Sequence, residues 1–320
     1  MRVVMMGTGT FAEPTFESLL VSRHTVVGLV TQPDRNIGEK RGSTRQIGKG
    51  MKEIALLRGL PVLQPESINT PDGERSLREL RPDLLVVAAY GQILSRDLLG
   101  AAFRGGINVH ASLLPKYRGA APVAWAIRNG ETETGVCIIR MSVALDAGDI
   151  LARGVVPIDP NETAGQLETR LGAVGAHLAV ETVDRLEAGP IEGTKQDKSQ
   201  ATKAPKLTKE MGLIDWLQPA TAVWNHVRAM QPWPTAYTFL HRAEHEPLRV
   251  IVIKAKPADE TSASEPGFVR RNEDRLFVSC GGGTSLELLE LQPVGKKPMK
   301  PGDFLRGNPL PAGSRFGAAA

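Results

Sequence analysis

An amide, an imidazole and a carboxylate are available for chemistry in this chain. They are Asn108 and His110 in Ile107-Asn108-Val109-His110, and Asp146 in Leu145-Asp146-Ala147-Gly148-Asp149. Together they suit an acyl-type transfer: the amide donates to a developing oxyanion, the imidazole moves a proton, and the carboxylate orients the imidazole. Read as a strand over 107–110, the segment carries Asn108 and His110 two apart, so both point the same way from the strand end. Neither a metal-ligand spacing nor an adjacent nucleophile accompanies them. That favours direct attack by the substrate's own nucleophile over a covalent enzyme intermediate.

The elements that position these groups read as an α/β fold. Val3 to Met6, Thr25 to Thr31, Leu84 to Ala88 and Gly106 to Val109 are continuous apolar runs, which implies strands buried on both faces of a mostly parallel sheet. Phe11 to Val21, Thr44 to Leu57 and Pro71 to Leu80 fit the crossover helices, and the strand ends at Met6, Ala88 and Val109 should converge on one edge, where open α/β sheets bind ligands. Gly135 to Met141 and Ala152 to Pro157 read as further strands, followed by a helix over Thr163 to Leu186. The texture then changes. Residues 193–205 are polar with three lysines, a linker by composition. After a helix around Thr221 to Met230 come short β-like runs at Ala236–Leu240, Leu248–Ala255, Gly267–Val269, Leu276–Cys280 and Ser285–Leu291, the spacing of a small barrel. Residues after about Gly307 read as a disordered tail.

Composition sets outer bounds. The chain has 320 residues, 41% hydrophobic and 23% charged, which suits a soluble protein of about two domains. A formal charge of +4 favours an anionic partner but is too small to establish nucleic-acid binding. Cys137 and Cys280 are far apart in apolar or glycine-rich contexts, so buried reduced thiols are expected. No stretch approaches the ~20 apolar residues of a membrane span, and a cytoplasmic protein without a membrane partner is expected. Gly7-x-Gly9-x-x-Ala12 satisfies a loose dinucleotide fingerprint and makes a nicotinamide oxidoreductase the rival from another class. The acid that should close the second strand is late and sits behind Pro33, in Thr31-Gln32-Pro33-Asp34, so no nicotinamide cofactor is expected.

The catalytic run continues as Ala111-Ser112-Leu113-Leu114-Pro115-Lys116-Tyr117-Arg118-Gly119-Ala120-Ala121-Pro122 and later reaches Gly130-Glu131-Thr132-Glu133-Thr134-Gly135-Val136. This pattern resembles the folate-dependent formyltransferases, and the resemblance extends over nearly the whole chain. It implies a Rossmann-like catalytic domain over 1–190, a basic linker over 191–206 and a C-terminal OB-like, tRNA-binding barrel over 207–315. The barrel resembles the family's at Gln231-Pro232-Trp233-Pro234-Thr235-Ala236 and at Pro293-Val294-Gly295-Lys296-Lys297-Pro298-Met299. The Gly7 and Gly9 turn then lies near the substrate and binds no dinucleotide.

The resemblance also implies a reaction: the formyl group of 10-formyltetrahydrofolate passes to the α-amino group of methionine esterified to initiator tRNA, without a metal. Asn108, His110 and Asp146 take the catalytic roles. Ser112, Leu113, Leu114 and Pro115 form one folate wall, and Tyr90, Gln92, Ile93 and Leu94 form the other. The basic loop after Asp34 resembles the segment that grips the acceptor end of tRNA, through Arg35, Lys40, Arg41 and Arg45, with Lys206, Lys296 and Lys297 as further contacts. This loop departs from the family's proline-rich pattern, as Ala111 departs from the usual glycine. A monomer is expected. Two other readings stay open: a formyltransferase acting on an amino-sugar nucleotide, against which the Arg118-Gly119-Ala120 run argues, and a non-catalytic nucleic-acid binder, which has no use for the three catalytic groups together.

Overall fold

The apolar runs of the first half form the strands of one sheet. A computed structural model of the chain describes residues 1–34 and 50–319. In chain order its first elements are β1 (Arg2–Gly7), α1 (Glu13–Val21), β2 (Thr25–Val30), α2 (Met51–Leu57), β3 (Val62–Leu63), α3 (Pro71–Glu79), β4 (Leu84–Ala88), α4 (Arg96–Leu99) and β5 (Gly106–His110). There follow β6 (Arg118–Gly119), α5 (Pro122–Arg128), β7 (Glu133–Arg140), β8 (Ile150–Pro157), α6 (Ala164–Ala188) and β9 (Lys203–Ala204). Seven strands pair in the order β3-β2-β1-β4-β5-β7-β8. The first five run parallel, whereas β7 and β8 are antiparallel.

Val3 to Met6 and Leu84 to Ala88 are almost fully buried on both faces, as continuous apolar strands require. The register aligns Gly7 with Ala88 and Ala88 with Val109, so three strand ends meet in one row. Gly7 is needed there: a Cβ would lie 2.7 Å from the Ala88 carbonyl oxygen. The helix α3 starts where a cap dictates, with Thr70 Oγ1 accepting from the Gly73 amide at 3.1 Å and Pro71 in the first turn. Of the helix expected from Thr44, residues before Gly50 lie outside the described ones, and α2 begins at Met51.

Apart from most of α5, these elements belong to a compact unit made of Met1–Val123, Thr132–Asp159 and Gly165–Lys206; a second comprises Ala124–Glu131, Pro160–Ala164 and Leu207–Ala320. The second unit contains α7 (Ala220–Ala229), β10 (Ala236–Arg242), β11 (His245–Pro257), β12 (Val269–Asn272), β13 (Arg275–Cys280), β14 (Thr284–Pro293), α8 (Pro301–Gly307) and β15 (Arg315–Gly317). Its antiparallel sheet runs β12-β13-β14-β11-β10-β15. A bridge between Phe268 and Arg315 joins the segment entering β12 to β15, so the two edges of the sheet meet.

Two expectations are corrected here. The segment after Gly307 is no disordered tail: β15 pairs with β10, and Phe316 is 2% exposed. The Phe316 ring stacks on Trp216 at 5.9 Å, and the Trp216 indole donates to Thr238 Oγ1 at 2.9 Å, which in turn donates to the Gly317 carbonyl at 3.0 Å. One aromatic anchor and one buried polar chain outweigh the disorder-prone composition around them. The strand expected at Gly267–Val269 also starts later, because Gly267 (φ 86°) lies so close to Phe316 that a Cβ would sit 2.3 Å from its carbonyl oxygen.

Both thiols are free and buried. Burial raises the Cys137 thiol and pushes Cys280 up to about 12, which keeps both poorly nucleophilic. Among the described residues, no helix is long and apolar enough to cross a membrane.

Candidate active site

Strand β5 lies between parallel β4 and antiparallel β7 and delivers Asn108 and His110 to one face at its end. Asp146 arrives from the loop between β7 and β8. Its Oδ1 accepts from Asn108 Nδ2 at 3.3 Å and lies 3.6 Å from His110 Nδ1, while Oδ2 accepts from the Gly119 amide at 2.9 Å. The three side chains singled out by type are therefore brought together. His110 is 5% exposed, and its Nε2 donates to the Tyr117 carbonyl at 3.0 Å. Both ring nitrogens thus face oxygen acceptors, and a ring protonated on both nitrogens satisfies both.

The Asp146 turn is backbone-strained. Asp146 has φ 49°, a left-handed conformation uncommon outside glycine. Two residues on, Gly148 passes the end of β7 so closely that a Cβ would lie 1.7 Å from the Arg140 carbonyl oxygen. Gln196 clamps this turn: its Nε2 donates to the carbonyls of Asp146 at 2.8 Å and Gly148 at 2.7 Å. Its Oε1 accepts from Arg118 Nη2 at 2.7 Å and Nε at 3.2 Å. The sequence singles out neither Gln196 nor the Gly119 amide. Gln196 sits in a stretch that looks like linker, and a backbone donor leaves no trace in residue type. The Arg118-Gly119 dipeptide is the nearest available signal, since Gly119 (φ 127°) passes within 2.5 Å, measured from an added Cβ, of the Ala204 carbonyl oxygen.

The other expected site residues divide into buried and open positions. Ser112 is fully buried, and its hydroxyl donates to the Lys116 carbonyl at 2.7 Å. Leu114 is packed with Cys137, Ile139 and Ile150, whereas Leu113 and Pro115 are half-buried. Tyr90 and Leu94 belong to the hydrophobic core around Val4, Met6 and Val30, and burial pushes the Tyr90 phenol up to about 12. The Gln92 side chain accepts from the Ile68 amide and donates to the Glu66 carbonyl, while Ile93 is 62% exposed. Lys206, Lys296 and Lys297 are exposed. Arg35, Lys40, Arg41 and Arg45 lie outside the described residues. No group of three or more potential metal ligands occurs among the described residues.

The comparisons with known proteins agree with this architecture. Residues 1–183 match the formyl transferase family and residues 206–309 match the formyl transferase C-terminal domain. The chain is 44% identical to the methionyl-tRNA formyltransferase of Acidobacterium capsulatum over 319 residues, covering 99% of this chain and 100% of that one. It is also 44% identical to the methionyl-tRNA formyltransferase of Bacillus licheniformis, covering 99% and 98%. Among solved structures, the N-formyltransferase of Helicobacter canadensis, in complex with folinic acid and dTDP-3-aminofucose, superposes with a TM-score of 0.67. It is 18% identical and covers 89% of this chain and 98% of that one, a likeness of fold alone. At this identity and coverage, the chain belongs to the methionyl-tRNA formyltransferase family.

Proposed function

We propose that this protein transfers the formyl group of 10-formyltetrahydrofolate to the α-amino group of methionine on initiator tRNA. The observation that carries the reading is the convergence of Asn108, His110 and Asp146 at the end of β5 in a chain of this family. The amine attacks the formyl carbon, and the bond from that carbon to N10 breaks. Asn108 has one amide hydrogen left beyond its bond to Asp146, and it donates to the formyl oxygen as negative charge develops there. Such a donor contributes ~3 kcal/mol when dry and well placed. His110 gives a proton to the departing nitrogen and takes one from the attacking nitrogen, which must shed it to become an amide, so the ring ends as it began; Asp146 holds the ring in place and balances its charge.

The residues around the site fit a folate in a specific way. Ser112 and Gln92 already spend their side-chain hydrogen bonds on the protein's own backbone. Exposed Ile93 and half-buried Leu113 and Pro115 supply an apolar wall, and polar recognition falls to the backbone. For tRNA, exposed Lys206, Lys296 and Lys297 are the contacts among the described residues, with Arg35, Lys40, Arg41 and Arg45 in the basic loop. Each phosphate contact contributes about one unit to the salt dependence of binding. The curled sheet of the second unit is read as an OB-like barrel because its edge strands meet.

The test offers 10-formyltetrahydrofolate with methionyl initiator tRNA, uncharged tRNA or an amino-sugar nucleotide. Formylmethionyl-tRNA is the expected product. Formylation of the sugar nucleotide with none of the charged tRNA would overturn the assignment.

A further inference from the structure

We propose that Gln196 is a positioning residue for the transfer reaction, acting through Asp146; this rests on the function proposed above. Its geometry is unambiguous. Arg118 only donates, so the amide oxygen of Gln196 must face the guanidinium, and the NH2 group must face the two carbonyls. Both hydrogens are then used, one on Asp146 and one on Gly148, two residues apart across the strained turn. One carbonyl belongs to the residue whose carboxylate reaches Asn108, His110 and the Gly119 amide, and the other lies two residues further along the same turn. A turn with φ 49° at a non-glycine residue persists only when its surroundings over-determine it. Gln196 contributes that determination from outside the loop, and Arg118 sets which way its amide points.

The chemistry of the replacement makes the test sharp. Gln196→Glu keeps shape and an attractive contact to Arg118, but it sets a carboxylate oxygen against two carbonyl oxygens in place of two N–H donors. Gln196→Met removes all the polar contacts. In both variants kcat for formyl transfer should fall by about tenfold or more, the loss expected when two half-buried acceptors lose their donors and the turn that carries Asp146 loosens. The KM for each substrate and the folate Kd should stay near wild type, because Gln196 touches the turn and not the folate wall. The Gln196→Glu loss should shrink as pH falls and the new acid regains an O–H donor, whereas the Gln196→Met loss should show no such recovery.

A mutant cycle then asks through whom Gln196 acts. In an Asp146→Ala background, Gln196→Glu should cost almost nothing further, because no carboxylate remains to be placed. An equal loss in both backgrounds would overturn the proposal, as would loss of folate affinity in step with kcat, which would assign Gln196 to packing alone. The wild-type assay separates the two readings: no transfer by the unmodified enzyme sinks the proposed function, while an active wild type with additive variants sinks only this one.

Discussion

Replacing Asp146 by asparagine removes one charge and leaves the size of the side chain unchanged. The Gly119 amide donates to Oδ2, so the oxygen of the new amide must stay on that side. Its NH2 group then takes the place of Oδ1, 3.3 Å from Asn108 Nδ2 and 3.6 Å from His110 Nδ1. Two amide donors are opposed at Asn108. The His110 nitrogen, which faced a carboxylate, now faces a donor and must accept, so the ring is confined to its neutral form with the Nε2 proton still held by the Tyr117 carbonyl.

The size of the effect follows from the same distance. At 3.6 Å and an effective dielectric constant of ~20, a carboxylate and an imidazolium attract by about 5 kcal/mol. Only the part that differs between ground and transition state affects turnover. If roughly half does so, the barrier rises by about 2.5 kcal/mol and kcat falls by roughly fifty- to a hundredfold. Single-turnover formylation of methionyl initiator tRNA at saturating folate measures this, with folate Kd as the control for an intact site. Turnover within about threefold of wild type, with folate still bound, would remove Asp146 from the proton-handling role.

All four tryptophans (Trp125, Trp216, Trp224 and Trp233) lie in the second unit, so tryptophan fluorescence follows the unfolding of that unit. Phe316→Ala should destabilise it by about 3 to 5 kcal/mol, the cost of truncating a buried phenylalanine, and a denaturation midpoint equal to wild type would restore the picture of a loose tail. His226 is buried with its Nε2 donating to the Gly212 carbonyl, and desolvation lowers its pKa from 6.5 to about 4. Because the folded pKa is depressed, the unfolded chain takes up the proton first. Stability is therefore full above pH 6.5 and falls as pH drops towards 4, by up to about 3 kcal/mol. His226→Gln should flatten this acid slope, and identical slopes in both proteins would place the titration elsewhere.

What the sequence revealed depended on whether the physics was carried by side-chain pattern or by backbone geometry. The strands β1, β4 and β5 were legible because burial on both faces demands uninterrupted apolar residues. Asn108 and His110 were legible because strand alternation puts residues two apart on one face. The antiparallel run of β7 against β5 left no such trace, since strand direction is not written in composition. Phe316 was missed for a related reason: one aromatic residue among glycine, serine and alanine gives no periodic signal, and its partner Trp216 is a hundred residues away in sequence. The Gly119 amide and Gln196 were hidden because the first is a main-chain group and the second lies in a polar stretch whose composition reads as solvent-exposed linker.

That polar stretch has the opposite role in the folded chain. Tyr117 (φ 62°) and Asp146 (φ 49°) are both non-glycine residues in left-handed backbone, and each presents an oxygen to His110. Both are tied to the segment that leads out of the first unit. Thr202 Oγ1 accepts from the Tyr117 amide at 2.8 Å, and Gln196 holds the Asp146 turn. Strand β9 then pairs with β6, so that Ala204 accepts from the Ala120 amide at 2.8 Å, next to the Gly119 amide that binds Asp146. Backbone strain at a site persists where external contacts outweigh it. Here residues 196–204 supply those contacts on both sides of the imidazole, and the placement of His110 depends on a segment with no catalytic group of its own.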